Sequence, residues 1–172
     1  MLVRLAFLVP KRCFTRTIWY ICFYIATFPI LGWAEERLNG QVRRVADGDT
    51  ITIVTDAQQT KKVRLSEIDT PERDQPWGRQ AAVALSNKVA NKSIVAKVSG
   101  VDRYGRVIAE IFVGEKNINY EMVLEGHAWA YRRYLKNDYL LELEQIAKAN
   151  GFGLWGLTKE PIPPWEWRRG SR

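Results

Sequence analysis

Between Gly40 and Val54 apolar and β-branched residues alternate with polar ones, and Asp47-Gly48 breaks the run once. A period of two predicts two half-buried strands, and Asp-Gly between them predicts a tight turn. A third strand is predicted over Lys62–Ile68. It is closed by Asp69-Thr70-Pro71, because the residue before a proline is pushed away from helix. From about Gly78 to Asn91 the chain is alanine-rich with apolar positions at helical spacing. Ile94–Val98 and Val107–Val113 read as strands four and five, joined by a loop holding Asp102-Arg103-Tyr104-Gly105-Arg106. The period then lengthens again. Ile118–Leu124 is predicted helical and stops at Gly126, and Asp138–Ala149 is a second such segment, with an acid at its start and Asn150-Gly151 at its end. The closing PIPPWEWRRGSR is too rich in proline to predict regular structure, its tryptophans either folding back on the body or staying mobile. Five short strands with interspersed helices predict an α+β chain: a β-barrel with helices, about three of them packed outside. The five-stranded OB-fold Greek-key barrel is one such arrangement, and it often binds nucleic acid or sugar.

The first 34 residues follow a different pattern. Arg4, Lys11, Arg12 and Arg16 come without an acid, and Thr17–Ala34 is uncharged. Pro29 breaks the apolar run, and Gly32 and Ala34 stand at minus three and minus one of a cut before Glu35. That is the layout of a signal peptide, and it predicts a secreted or periplasmic protein. The alternative is a membrane anchor through residues 17–34, at the short end of what spans a bilayer. The expected division is 1–34 signal peptide, 35–158 barrel domain and 159–172 proline- and tryptophan-rich basic tail.

Composition adds limits. With 172 residues, 47% apolar and 26% charged, the chain suits one globular domain. The net charge of +7 invites a polyanion partner, but the leader holds four of the 26 basic residues and none of the 19 acids. The remainder is +3, so the case for nucleic acid has to come from a site. Cys13 and Cys22 both lie in the leader, which leaves no disulfide or thiolate metal centre for the rest. A single histidine, His127, excludes paired-histidine nucleases and multi-histidine zinc sites.

The chemistry gathers in three loops: Asp47 and Asp49 in the first, Asp69 and Glu72 in the second with Arg64 just before it, and Arg106 in the third. Carboxylates with a threonine and backbone oxygens form a hard donor set suited to Ca²⁺ or Mg²⁺. Arginines opposite such a set suit a phosphodiester, because a planar fork grips two phosphate oxygens and offsets charge that builds during displacement. A spare carboxylate can orient or deprotonate water.

At VADGDTITI, VRLSEIDTPE and DRYGRVIAEI the chain resembles the staphylococcal (micrococcal) nuclease family, with the segments in the family's order and near its spacing. A helix followed by Gly126-His127-Ala128-Trp129-Ala130 extends the resemblance, which covers about Gly40 to Trp155. It implies an OB-fold barrel and Ca²⁺-dependent hydrolysis of DNA and RNA, preferably single-stranded or locally opened, leaving a 3′-phosphate and a 5′-hydroxyl. Residue by residue, Asp49 and Asp69 resemble the calcium carboxylates, and Thr70 the ligand through its backbone carbonyl. Glu72 resembles the group that activates water, and Arg64 and Arg106 the pair on the scissile phosphate. Tyr104 and Tyr134 are the candidate nucleotide contacts. The resemblance implies no stable protein partner and a monomer, with a membrane involved only if the leader stays uncleaved. Where the family's type member carries a basic loop after Asp-Thr-Pro-Glu, this chain has Arg73-Asp74-Gln75-Pro76-Trp77, and the Pro-Pro-Trp-Glu-Trp tail is an addition.

The remaining features read more plainly. Asp47 is expected to cap the turn, His127 to pack, and Trp129, Trp155, Trp165 and Trp167 to bury. Arg168, Arg169 and Arg172 read as a solvated terminus, or else as added phosphate affinity. A second function class, a non-catalytic nucleic-acid-binding module on the same barrel, should have lost acids or arginines from the site, and here all are present.

Overall fold

The computed structural model describes residues 36–170; the leader, with Cys13 and Cys22, lies outside them. Five strands make the barrel: β1 (Arg37–Val45), β2 (Thr50–Thr55), β3 (Thr60–Leu65), β5 (Ser93–Val101) and β6 (Val107–Val113). They run in the order β3-β2-β1-β5-β6, and a pairing of β3 with β6 closes the ring. That pair is parallel, Val63 beside Val107 and Leu65 beside Ala109, whereas the others are antiparallel. Register shifts between Val42 and Arg44 and between Val98 and Gly100 bend the two longest strands around the barrel. This is the OB-type barrel the alternation predicted.

Alternation also decides what fills it. Val42, Ile51, Ile53, Val63, Leu65, Ile94, Ala96, Ala109 and Ile111 point inward and are buried. Four helices pack outside: α1 (Gly78–Val89), α2 (Ile118–Leu124), α3 (Tyr139–Ala149) and α4 (Pro164–Gly170). Short strands β4 (Ile68–Asp69) and β8 (Trp129–Ala130) pair with each other, and β7 (Lys116–Asn117) extends the edge beyond β6.

Two buried polar residues fasten the helices. Asn119, on α2, accepts from the Ile111 amide and donates to the Ser66 carbonyl. It thus satisfies backbone groups at the rim that would otherwise be orphaned. Glu144, on α3 and fully buried, accepts from the Ala130 amide and pairs with Arg132 and Lys148. Those cations and their hydrogen bonds outweigh burial and hold its pKa below the usual range. Among the described residues no helix is long and apolar enough to cross a membrane.

The third predicted strand is shorter than its hydrophobic run. It ends at Leu65, Glu67 turns with φ 61°, and Ile68–Asp69 leaves the barrel to pair with β8. The tail differs more. Pro164, Trp165 and Glu166 open a regular helix, α4, because proline suits the first turn, where its missing N–H costs nothing, and an acid there faces the positive end of the dipole.

Candidate active site

The first loop is built by its own side chains. Asp47 accepts from the Asp49 amide, the turn role expected of it. Burial first and the Asp49 charge second push the Asp47 pKa up to about 6. Gly48 does not serve a left-handed turn. A Cβ there would lie 2.7 Å from the Thr70 hydroxyl and 2.9 Å from the Ala81 methyl, so glycine lets the first loop seat against the second and against α1.

This seating brings the acids together. Asp49 accepts from the Thr50 hydroxyl at 2.9 Å and from the Thr70 amide at 3.4 Å. Asp69, on β4, is almost fully buried. The Arg64 side chain, on the outward face of β3 opposite Thr50, lies between the two acids. Its Nη2 is 2.9 Å from Asp69 Oδ1 and 3.2 Å from Asp49 Oδ2. Its Nη1 donates to the carbonyls of Leu65 and Ile68. Burial works against the Arg64 charge, but Asp49 and Asp69 outweigh it and keep the guanidinium's pKa above its usual value. Burial also lifts Asp69, against the pull of its arginine partners.

Glu72 lies on the loop between β4 and α1, held from both sides. Its amide donates to the Gln75 side chain, its carbonyl accepts from the Gln75 amide, and a Cβ on Gly78 would fall 1.8 Å from that carbonyl. Trp77 takes a left-handed conformation with φ 75°, donates through Nε1 to His127 Nδ1 at 3.1 Å, and stacks near that ring. His127 is therefore a packing residue, an acceptor that anchors the loop carrying Glu72. Burial lowers its pKa.

Arg106 stands on the loop between β5 and β6. Asp102 holds it through Nε at 2.8 Å and caps the loop's amides. Burial raises the Asp102 pKa slightly, but the hydrogen bonds from Arg106 and the loop win and lower it. Arg64 and Arg106 line one groove of about 580 Å³, together with Arg103, Arg133, Tyr104 and Tyr134. Both tyrosines are exposed, and arginines lie over their rings: Arg103 and Arg106 on Tyr104, Arg133 on Tyr134. Cations interleaved with aromatic faces can hold a strand by its phosphates and bases together.

The sequence model for staphylococcal nuclease homologues matches residues 62–156. The chain belongs to the staphylococcal nuclease family. The curated relatives of this family member include an uncharacterized endonuclease of Haemophilus influenzae, 40% identical over 81% of this chain and 78% of the relative. Protein ParB of Escherichia coli is 38% identical over 81% and 82% of the two chains. A micrococcal nuclease of Shigella flexneri is 38% identical over 81% and 84%. The chain thus has both the sequence and the barrel of a nuclease.

Every predicted site residue falls at this end of the barrel. Asp49, Asp69, Thr70 and Arg64 form one hydrogen-bonded cluster, and Arg106, Tyr104 and Tyr134 share the groove with Arg64. Glu72 joins Asp69 through a residue read as a solvated terminus: Arg168, on α4, donates to Asp69 Oδ2 at 2.7 Å and to Glu72 Oε1 at 2.6 Å. Burial works against the Arg168 charge, but the hydrogen bonds from these carboxylates raise its pKa. Gln75 was also missed. It is buried and ties the Glu72 loop to the tail, donating to the Ile162 carbonyl. The sequence does carry a signal for α4, since proline and an acid open it and Arg168-Arg169 close it. It carries none for where the helix docks.

Proposed function

We propose that the protein is an exported, Ca²⁺-dependent nuclease that hydrolyses phosphodiesters of DNA and RNA in single-stranded or locally opened stretches. In this reading it leaves a 3′-phosphate and a 5′-hydroxyl and acts as a monomer. The observation that carries it is Arg64 Nη2 shared between Asp49 and Asp69, at the head of a groove lined by Arg106 and two exposed tyrosines. Among the described residues no three His, Cys, Asp or Glu side chains gather as a closed metal cage. The donors present fit a hard divalent ion nonetheless. Two buried carboxylates already converge on one positively charged atom, and such ions accept water and substrate oxygens as further ligands. Asp49 and Asp69, with the Thr70 carbonyl, would hold it. When bound, Ca²⁺ polarises the phosphate and steadies the attacking water.

The chain's own residues supply the rest. Arg64 reaches the phosphate by exchanging carboxylate for phosphate oxygens on Nη2, while the Leu65 and Ile68 carbonyls keep its other nitrogen in place. Arg106, anchored through Nε, presents its remaining nitrogens to the opposite side of the groove. Both forks gain strength as charge builds on the equatorial oxygens. Glu72 takes the proton of the attacking water. Tyr104 and Tyr134 stack on splayed bases, which favours strands that unstack easily. Export rests on the basic-then-apolar leader, outside the described residues.

Incubation of the purified chain with single-stranded DNA, with Ca²⁺ and with a chelator, tests the activity. The expected result is Ca²⁺-dependent cleavage whose products accept 5′ phosphorylation without prior phosphatase treatment. Binding without cleavage would favour a non-catalytic module, and cleavage in the presence of chelator would refute the metal's role.

A further inference from the structure

The tail after α3 returns to the site and is fixed at three places. Gln75 donates to the Ile162 carbonyl at 2.5 Å, and Pro164 is buried. The Trp165 ring lies parallel to Tyr131, with centroids 5.5 Å apart and planes 4° off; Tyr131 itself lies under Arg64. Trp167 lines a mostly apolar cavity of about 400 Å³ with Pro76, Leu157 and Ile162. Together these anchors deliver the Arg168 fork to Asp69 and Glu72.

Both oxygens of Asp69 are then engaged, Oδ1 by Arg64 and Oδ2 by Arg168. A metal ion that binds Asp69 has to take an oxygen from one of the two guanidiniums. They are not equally held. Arg64 is 14% exposed and donates to two carbonyls as well as two acids. Arg168 is 39% exposed, and its partners are Asp69 and Glu72. It stands on a seven-residue helix at the chain's end. Arg168 is the one that yields.

We propose that Arg168 sets the metal affinity of the site: it is a tethered counter-cation that occupies Asp69 and Glu72 until a divalent ion displaces it. This rests on the reading of Asp69 as a metal ligand. The fork offsets the repulsion between the two carboxylates while the site is metal-free, and its departure frees Glu72 for water when the metal arrives. Loading and unmasking of the base become one event, and the tail reports it.

The test is Ca²⁺ calorimetry on the full chain, comparing wild type with Arg168→Gln. Removal of a competing cation should tighten Ca²⁺ binding by about tenfold, some 1.4 kcal/mol, and Arg168→Lys should fall between. Hydrogen exchange of residues 162–170 in the wild type should speed up on Ca²⁺ addition. Trp165→Leu keeps the charge and loosens the tether; it should tighten binding severalfold and serves if the glutamine variant does not fold. Equal or weaker Ca²⁺ binding in the variants, or tail exchange indifferent to Ca²⁺, overturns the proposal. Asp49→Asn separates the two readings. If it abolishes Ca²⁺ binding while Arg168→Gln leaves affinity unchanged, the metal site stands and the counter-cation falls. If neither the wild type nor Arg168→Gln binds Ca²⁺, both fall.

Discussion

Gly78→Ala tests how tightly the Glu72 loop is positioned. The added methyl would sit 1.8 Å from the Glu72 carbonyl oxygen, where real contacts of this kind keep to 3.0 Å or more. The loop or the start of α1 must therefore retreat by about 1.2 Å. That carbonyl also accepts the Gln75 amide, so the retreat pulls on the residue that ties the loop to the tail. Overpacking of this kind costs about 1–3 kcal/mol, and the helix propensity that alanine gains, about 1 kcal/mol at most, offsets part of it. A melting temperature lower by roughly 3–8 °C is expected. The rate should suffer more than the stability. A misplacement near 1 Å in a reacting constellation can cost about 10²-fold, and Glu72 moves with its backbone. Single-turnover cleavage of a short single-stranded oligonucleotide at saturating Ca²⁺, run well below the melting transition, measures it. A variant with a rate within about threefold of wild type, against the 10²-fold such a shift should bring, would show that α1 absorbs the clash or that Glu72 placement does not limit the reaction.

Glu72→Gln keeps size but cannot take a proton as a carboxylate does; kcat should fall by about 10²–10⁴-fold with Ca²⁺ binding retained, and a loss under threefold in the same assay would assign water activation elsewhere. Arg106→Lys loses both the fork and the Nε anchor to Asp102, so kcat should drop by about 10–100-fold while KM changes little; near-full kcat would reduce Arg106 to a general electrostatic contact. His127 must be neutral at Nδ1 to accept from Trp77, and its folded pKa lies below the unfolded value of about 6.5. Its contribution is therefore complete above that value and is lost as pH falls through the folded pKa. The melting temperature should decline on that descent, and His127→Gln should flatten the slope; an identical slope in the variant would place the titration at another group.

What the sequence disclosed and what it hid divide along a physical line. Helix α2 was predicted over Ile118–Leu124 and is found there, and α1 and the five barrel strands match their predicted runs to within a few residues, because each is written in local periodicity. The break at Leu65 was hidden, since β4 is decided by its partner β8, some 60 positions away. Gly48 was read as a turn residue for its neighbour Asp47; its actual constraint, the approach of Thr70 and Ala81, exists only in the folded chain. The carboxylates and Arg64 were legible because three motifs stand close together in sequence. Arg168 was not: its partner Asp69 lies 99 residues upstream, and nothing around Trp167 announces an ion pair.

The parallel β3–β6 pairing has a consequence for when the protein becomes dangerous to nucleic acid. Arg64 pairs in register with Ile108, two residues past Arg106, so the two arginines meet only once strands more than 40 residues apart have zipped together. Such a contact carries a large loop-closure cost, and contacts of that kind set the pace of β-rich folding. A nascent or half-folded chain has its acids, its arginines and its tyrosines, but no groove. Cutting competence arrives with the final closure of the ring, which makes the barrel its own safety catch and makes recovered nuclease activity a direct clock for that closure.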